Sequence, residues 1–146
     1  MEKNDTFNRI GEKDKFSKIY NSLIVSDAFQ DMPPTAKVVY LYCRNQAHSK
    51  TGIENLTAYL YETAKMLGYD EKQTAKFLSK YKDGYIYFTF PAKHAEELYN
   101  LDRRNLGKYL KILSDYGFIE TVSCGKHQKR QNLYKFSDAW KRYKIK

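Results

Sequence analysis

The chain has 146 residues, of which 42% are hydrophobic and 29% charged. It is too apolar for a disordered chain and long enough for one domain with a real core. Two cysteines exclude a disulfide scaffold and point to a reducing compartment, and a formal net charge of +9 points to an anionic partner.

The charge is unevenly placed. Residues 1–101 carry 14 Lys/Arg against 13 Asp/Glu, whereas residues 102–146 carry 12 against 4. The positive field therefore belongs to the C-terminal third. Nucleic acid is the leading partner for it, with an acidic membrane or protein surface behind. The opening "MEKNDTFNRIGEKDKF" has no apolar signal-peptide core, and no apolar run is long enough to span a bilayer. A soluble, cytoplasmic protein with no membrane partner is expected.

Residues 1–15 read as a flexible polar arm and 16–146 as a single domain. "FSKIYNSLIVSDAF" carries Phe16, Ile19, Leu23, Ile24 and Phe29 without a decisive period. Paired prolines and Thr35 then open a helix expected to bury Val38, Val39, Leu41, Tyr42 and Cys43. "HSKTG" reads as the loop that closes it, with Gly52 as a breaker. Residues 54–83 read as two helices. The first covers 55–67 and ends at Gly68; the second starts at Asp70, with Gln73 at capping-box spacing. Its apolar stripe is Thr74, Phe77, Leu78 and Tyr81, and Gly84 ends it.

"YIYFTF" (85–90) alternates and reads as a strand, with Tyr85 and Tyr87 on one face and Ile86, Phe88 and Phe90 on the other. An exposed aromatic row of this kind stacks single-stranded bases, although such strands are more often core. Pro91 opens a helix over 91–99 carrying Ala95 and Leu98. Asp102 caps the next, 103–116, whose apolar stripe is Leu106, Tyr109, Leu110 and Leu113; Gly117 stops it. "FIETVS" and "LYKF" form a hairpin around the loop "CGKHQKRQN", and the tail suits a short basic helix from Ser137 or Asp138.

Helix, strand, helix, turn, helix, hairpin is the order of a winged helix-turn-helix. The expected class is mainly α with a small β-sheet (α+β), with 54–83 as a helical insertion. Once the leucines of 103–116 face the core, the opposite face holds Arg104, Lys108, Lys111 and Asp115, flanked by Arg103 and Asn105. A recognition helix puts its N-terminal residues nearest the bases, where Arg pairs with guanine and Asn with adenine. Arg103, Arg104 and Asn105 are the base-reading candidates, and Lys108 and Lys111 lie nearer the phosphates. Gly107 on this face costs helix propensity, which close approach of another backbone, protein or DNA, would explain. In the hairpin loop Gly125 allows the turn, and Lys126, Lys129 and Arg130 would follow phosphates or reach the minor groove. His127 adds a contact that strengthens on protonation.

Basic residues on a helix face or a hairpin tip are usually only solvated. Here the fold order sets the two side by side, and the joint placement favours a functional reading. An internal echo accompanies it: Ala64 to Ile86 repeats the helix, turn, helix, Gly, strand pattern of Ala95 to Ile119. Its second helix would expose Lys72, Lys76 and Ser79. The later copy is preferred because it carries the charge and the complete hairpin; the earlier one would pack on the core, form a dimer surface or read DNA itself.

Catalysis finds little support. His48, His94 and His127 are spread along the chain, Cys124 and His127 are half of a metal spacing, and no phosphate-cradling Gly loop occurs. Neither an enzyme nor a cofactor or metal is expected.

The stretch "YFTFPAKHAEELYNLDRRNLGKYLKILSDYGFIETVSCGKHQKRQNLYKFSDAWKRY" resembles small winged-helix proteins carried by plasmids, phages and conjugative elements of Gram-positive bacteria. The marks are Phe-Pro opening a helix, Leu110-x2-Leu113-x3-Gly117-Phe118-Ile119, Gly125 before the basic tip, Asn132-x-Tyr134-x-Phe136-Ser137, and Trp140. "FQDMPPTAKVVYLYCRNQA" is similar to the helix opening the N-terminal domains of plasmid replication initiators. The resemblance implies double-stranded DNA binding, often as a homodimer at iterated or inverted sites, with 103–116 as recognition helix and 124–132 as wing. Two departures stand out: 54–83 exceeds the usual connection, and Tyr99 occupies a turn position that commonly carries Gly. The implied role is replication initiation or control on a mobile element. The alternatives are a transcriptional regulator of such an element, or an interaction module docking an acidic partner through the basic wing.

Overall fold

The computed structural model describes residues 18–123 and 131–144. Two short helices, α1 (Asn21–Ile24) and α2 (Asp27–Asp31), lead into α3 (Pro34–His48), α4 (Lys50–Met66) and α5 (Glu71–Ser79). Strand β1 (Tyr87–Thr89), helices α6 (Ala92–Tyr99) and α7 (Arg103–Asp115), and strands β2 (Ile119–Ser123) and β3 (Leu133–Phe136) follow, with a 3-10 turn at Ala139–Arg142. The described chain is mostly helical, with one antiparallel sheet in the order β1-β3-β2. No described helix is long and apolar enough to cross a membrane.

The main core lies between α3, α7 and the inner face of the sheet. Helix α3 contributes Ala36, Val39, Tyr40, Cys43 and Ala47, spaced by three or four residues, against Leu106, Leu110 and Leu113 of α7. Phe88 stacks on Tyr134 and Phe136, with centroids 5.4 and 4.8 Å away. Val38 and Leu41 were expected inside but are 42% and 47% exposed, because they fall off the face that Val39 and Cys43 share. Likewise Ala95, not Leu98, carries the burial of α6.

A second cluster covers the outer face of the sheet. Tyr59, Leu60 and Ala64 of α4 and Phe77 of α5 pack with Tyr87 and Leu133. Both faces of β1 are therefore covered, and an exposed aromatic row over Tyr85 and Tyr87 does not form. Tyr87 is buried, with Tyr81 edge-on at 5.0 Å. Desolvation, then the hydrogen bond its hydroxyl donates to Asp83 at 2.8 Å, pushes the Tyr87 pKa up to about 12. Tyr85 remains outside, and Ile86, expected on the inner face, is exposed as well, because the strand begins only at Tyr87.

"HSKTG" is not a loop. Ser49 alone separates α3 from α4, in an extended conformation that ends one helix and caps the next: its hydroxyl accepts from the Gly52 N–H at 3.1 Å. Gly52 sits buried in the first turn of α4, where a Cβ would stand 1.8 Å from the Gln46 carbonyl oxygen. The glycine is required by close approach of two helices, not by a turn. Gly52→Ala should force this corner open and cost about 1–3 kcal/mol or more, as overpacking does. Urea unfolding measures it; an unchanged midpoint would contradict the tight corner.

Candidate nucleic-acid interface

The candidate surface is built on α6, its turn and α7. The turn closes when the Leu101 N–H donates to the Ala95 carbonyl at 2.8 Å, with Asn100 left-handed at φ 52°, ψ 41°. Asn adopts this conformation more readily than most residues, since its short polar side chain can hydrogen-bond locally. The left-handed position is thus filled by Asn100, and Tyr99 stays helical. The Tyr99 ring stacks on Tyr42 at 4.4 Å. Its hydroxyl donates to Gln46 Oε1 at 3.0 Å and accepts from Asn45 Nδ2 at 2.7 Å, tying the end of α6 to α3.

Asp102 starts α7 by accepting from the Arg104 N–H at 2.8 Å. That backbone donor, helped by the Arg104 charge, holds the Asp102 carboxyl below its ordinary range. Leu106, Leu110 and Leu113 are buried and Tyr109 is half-buried, so the other side of the helix faces outward. Arg104, Asn105, Lys108, Lys111 and Asp115 are all exposed on it. Arg104, with 90% of its side chain exposed, leans toward Asp102 at 3.6 Å, and Lys111 pairs with Asp115 at 3.0 Å. Such exposed, solvent-screened pairs hold these side chains only weakly. Lys108 Nζ stands 5.3 Å over the Tyr109 ring. Arg103 turns away from the row, its guanidinium 3.4 Å from Glu96 of α6. Gly107 lies in the same outward stretch, and a Cβ there would meet nothing within 4 Å. Packing within the described chain gives no reason for a glycine at this position.

The hairpin leaves directly from the end of α7. Strands β2 and β3 pair Ile119 with Phe136 and Glu120 with Lys135, with an irregularity between Thr121 and Ser123. Lys126, His127, Lys129 and Arg130 lie outside the described residues. At the foot of the loop Gln131 Oε1 accepts from Asn55 Nδ2 at 3.0 Å, and the same Nδ2 donates to Thr89 Oγ1. Asn55 is a residue the sequence reading missed, because one polar residue within a helix carries no positional signal.

The echo forms as a helical pair on the sheet. In α5 the capping box is complete: Gln73 N–H donates to Asp70 at 2.8 Å and Asp70 N–H to Gln73 at 3.0 Å. Lys72, Lys76 and Ser79 are exposed on α5. Among the described residues, no group of three or more His, Cys, Asp or Glu is placed to hold a metal ion. Burial pushes the Cys43 thiol far up, keeping it protonated in the core. The α7 row instead offers hydrogen-bond donors and positive charge.

Comparisons with protein-family models, curated proteins and solved structures found no match.

Gly107→Ala should raise folding stability by about 0.5–1 kcal/mol, since alanine removes backbone entropy from a helix at a site with free space. Denaturant unfolding measures it. A loss of stability would mean the position is sterically restricted.

Proposed function

We propose that this protein is a winged helix-turn-helix factor that binds duplex DNA through α7 and the β2–β3 wing. The observation that carries the reading is the exposed row Arg104, Asn105, Lys108 and Lys111 on a helix fixed from behind by three leucines. The order α3, β1, α6, α7, β2, β3 and the sheet order β1-β3-β2 support it, because a helix-turn-helix followed by an antiparallel hairpin is what a winged helix requires. In this reading Arg104 and Asn105 meet base edges near the start of the helix, and Arg103 joins them by leaving Glu96. Lys108 and Lys111 take phosphates. Lys126, His127, Lys129 and Arg130 on the wing add phosphate contacts that set register and affinity.

The protein would act without catalysis, as a homodimer at paired sites, in initiating or controlling replication of a mobile element. Regulation of transcription on such an element differs only in where the site lies, over a promoter and not within an origin.

Selection from a random duplex library tests the reading. It should yield a defined site. At that site Arg104→Ala should cost about 1–3 kcal/mol and relax the preference at one or two base pairs. Lys129→Ala with Arg130→Ala should weaken every duplex alike and flatten the salt dependence by up to about two units. A library that yields no consensus, or an Arg104→Ala protein with unchanged discrimination, would overturn the base-reading role of α7.

A further inference from the structure

Helix α5 repeats the construction of α7. Each follows a turn made of one left-handed residue, one spacer and an Asp cap: Gly68, Tyr69 and Asp70 before α5, and Asn100, Leu101 and Asp102 before α7. Both turns close on a buried alanine. The Tyr69 N–H donates to the Ala64 carbonyl at 3.1 Å, and the Leu101 N–H to the Ala95 carbonyl at 2.8 Å. Beyond each helix stands a left-handed glycine, Gly84 at φ 95° and Gly117 at φ 90°, and then a strand of the same sheet.

The correspondence extends to the side chains. Thr74, Phe77, Leu78 and Tyr81 are buried or half-buried at the same four places after the cap as the α7 stripe. The exposed sides match too. Two residues after the Asp stands Lys72 or Arg104, and six after it Lys76 or Lys108. The residue between them on this side is small in both, Ala75 or Gly107. Packing of the buried stripe decides which side of a helix faces water. It does not call for a cation at the same two places in both helices.

Helix α5 continues the row with Lys80, its C-cap, which keeps a helical conformation. Steps of four residues set the three lysines about 6 Å apart along the helix. All three are exposed, and among the described residues none has a carboxylate within 4 Å. Gln73 stands where α7 has Asn105, but its Oε1 accepts from the Asp70 N–H in the capping box. This side of α5 therefore offers charge more than base reading, which suits a phosphate backbone. Phe77 packs on the outer face of the sheet, whereas the leucines of α7 belong to the core on its inner face. The two rows thus stand on opposite sides of the sheet.

We propose that α5 is a second duplex-binding helix, on which Lys72, Lys76 and Lys80 take phosphates without reading sequence. This role rests on the DNA reading of α7, from which the correspondence carries it over.

The full chain would be titrated with a random-sequence duplex across a salt series. Lys72→Gln, Lys76→Gln and Lys80→Gln together should weaken binding about tenfold at low salt and flatten the salt dependence by up to about three units. A charge-matched control carries Lys18→Gln, Lys141→Gln and Lys144→Gln, exposed lysines at the two ends of the described chain. It should change both quantities much less. Lys72→Arg, Lys76→Arg and Lys80→Arg together should bind as the unaltered chain does, because the charge is kept. An α5 variant that matches the control, an unchanged salt slope, or loss of binding in the arginine variant would overturn the proposal. Arg104→Gln, Lys108→Gln and Lys111→Gln, measured alongside, keep the two helices separate. Binding indifferent to these three rejects the α7 reading, and binding indifferent to the α5 set alone rejects α5.

Discussion

The side chain of Gln46 is completely buried, and the elements behind the candidate interface are arranged around it. Its Nε2 donates to the Thr89 carbonyl of β1 at 3.0 Å and to His94 Nδ1 of α6 at 2.9 Å, while Oε1 accepts from Tyr99 at 3.0 Å. Its backbone carbonyl is the atom against which Gly52 packs. A buried amide left unpaired costs about 1–3 kcal/mol, so α4, β1 and α6 are each held where they satisfy this one group or fit against it. A carbonyl partner fixes the orientation of the amide, and His94 must then accept at Nδ1, which requires the neutral ring. Burial favours that state by lowering the His94 pKa.

From Gln46 the constraint passes to α7. Tyr99 ends α6 on the Gln46 side chain, Asn100 turns the chain, and Asp102 starts the next helix. At the far end Gly117 takes φ 90°, and a Cβ there would lie 2.6 Å from the Trp140 nitrogen. The Trp140 N–H donates back to the Gly117 carbonyl at 3.1 Å. With both ends pinned and three leucines buried, α7 presents its outward side chains on a rigid base. Recognition by such a helix orders few backbone degrees of freedom, which favours affinity.

Much of this was legible in the sequence, where a local signal coincided with a tertiary demand. Helix α7 had a leucine stripe, an Asp cap and a stopping Gly, and it runs Arg103–Asp115 against an expected 103–116. The Asp70 and Gln73 pair in α5 declared its own start. What was not legible depends on what covers what. Whether Tyr87 is open or core is settled only by α4 and α5 on the outer face of the sheet. Gly52 reads as a breaker, because glycine marks a turn and a close approach alike, and only the packed Gln46 carbonyl distinguishes them. Val38 and Leu41 lie in an apolar run whose buried face is set by α7 and the sheet, not by the run. Of the candidate site, the row on α7 came from helical spacing alone, but the tie of Arg103 to Glu96 required knowing how α6 and α7 cross.

The central claim, that the positive C-terminal third engages duplex DNA, is tested most directly by fluorescence anisotropy. The full chain would be titrated against a random-sequence duplex and a single strand of equal length across a salt series. The account predicts tighter binding to the duplex, with affinity falling steeply and linearly in log salt as counterions are released. No duplex binding at low salt, or a preference for the single strand, would contradict it and leave the basic segment as a surface for some other partner.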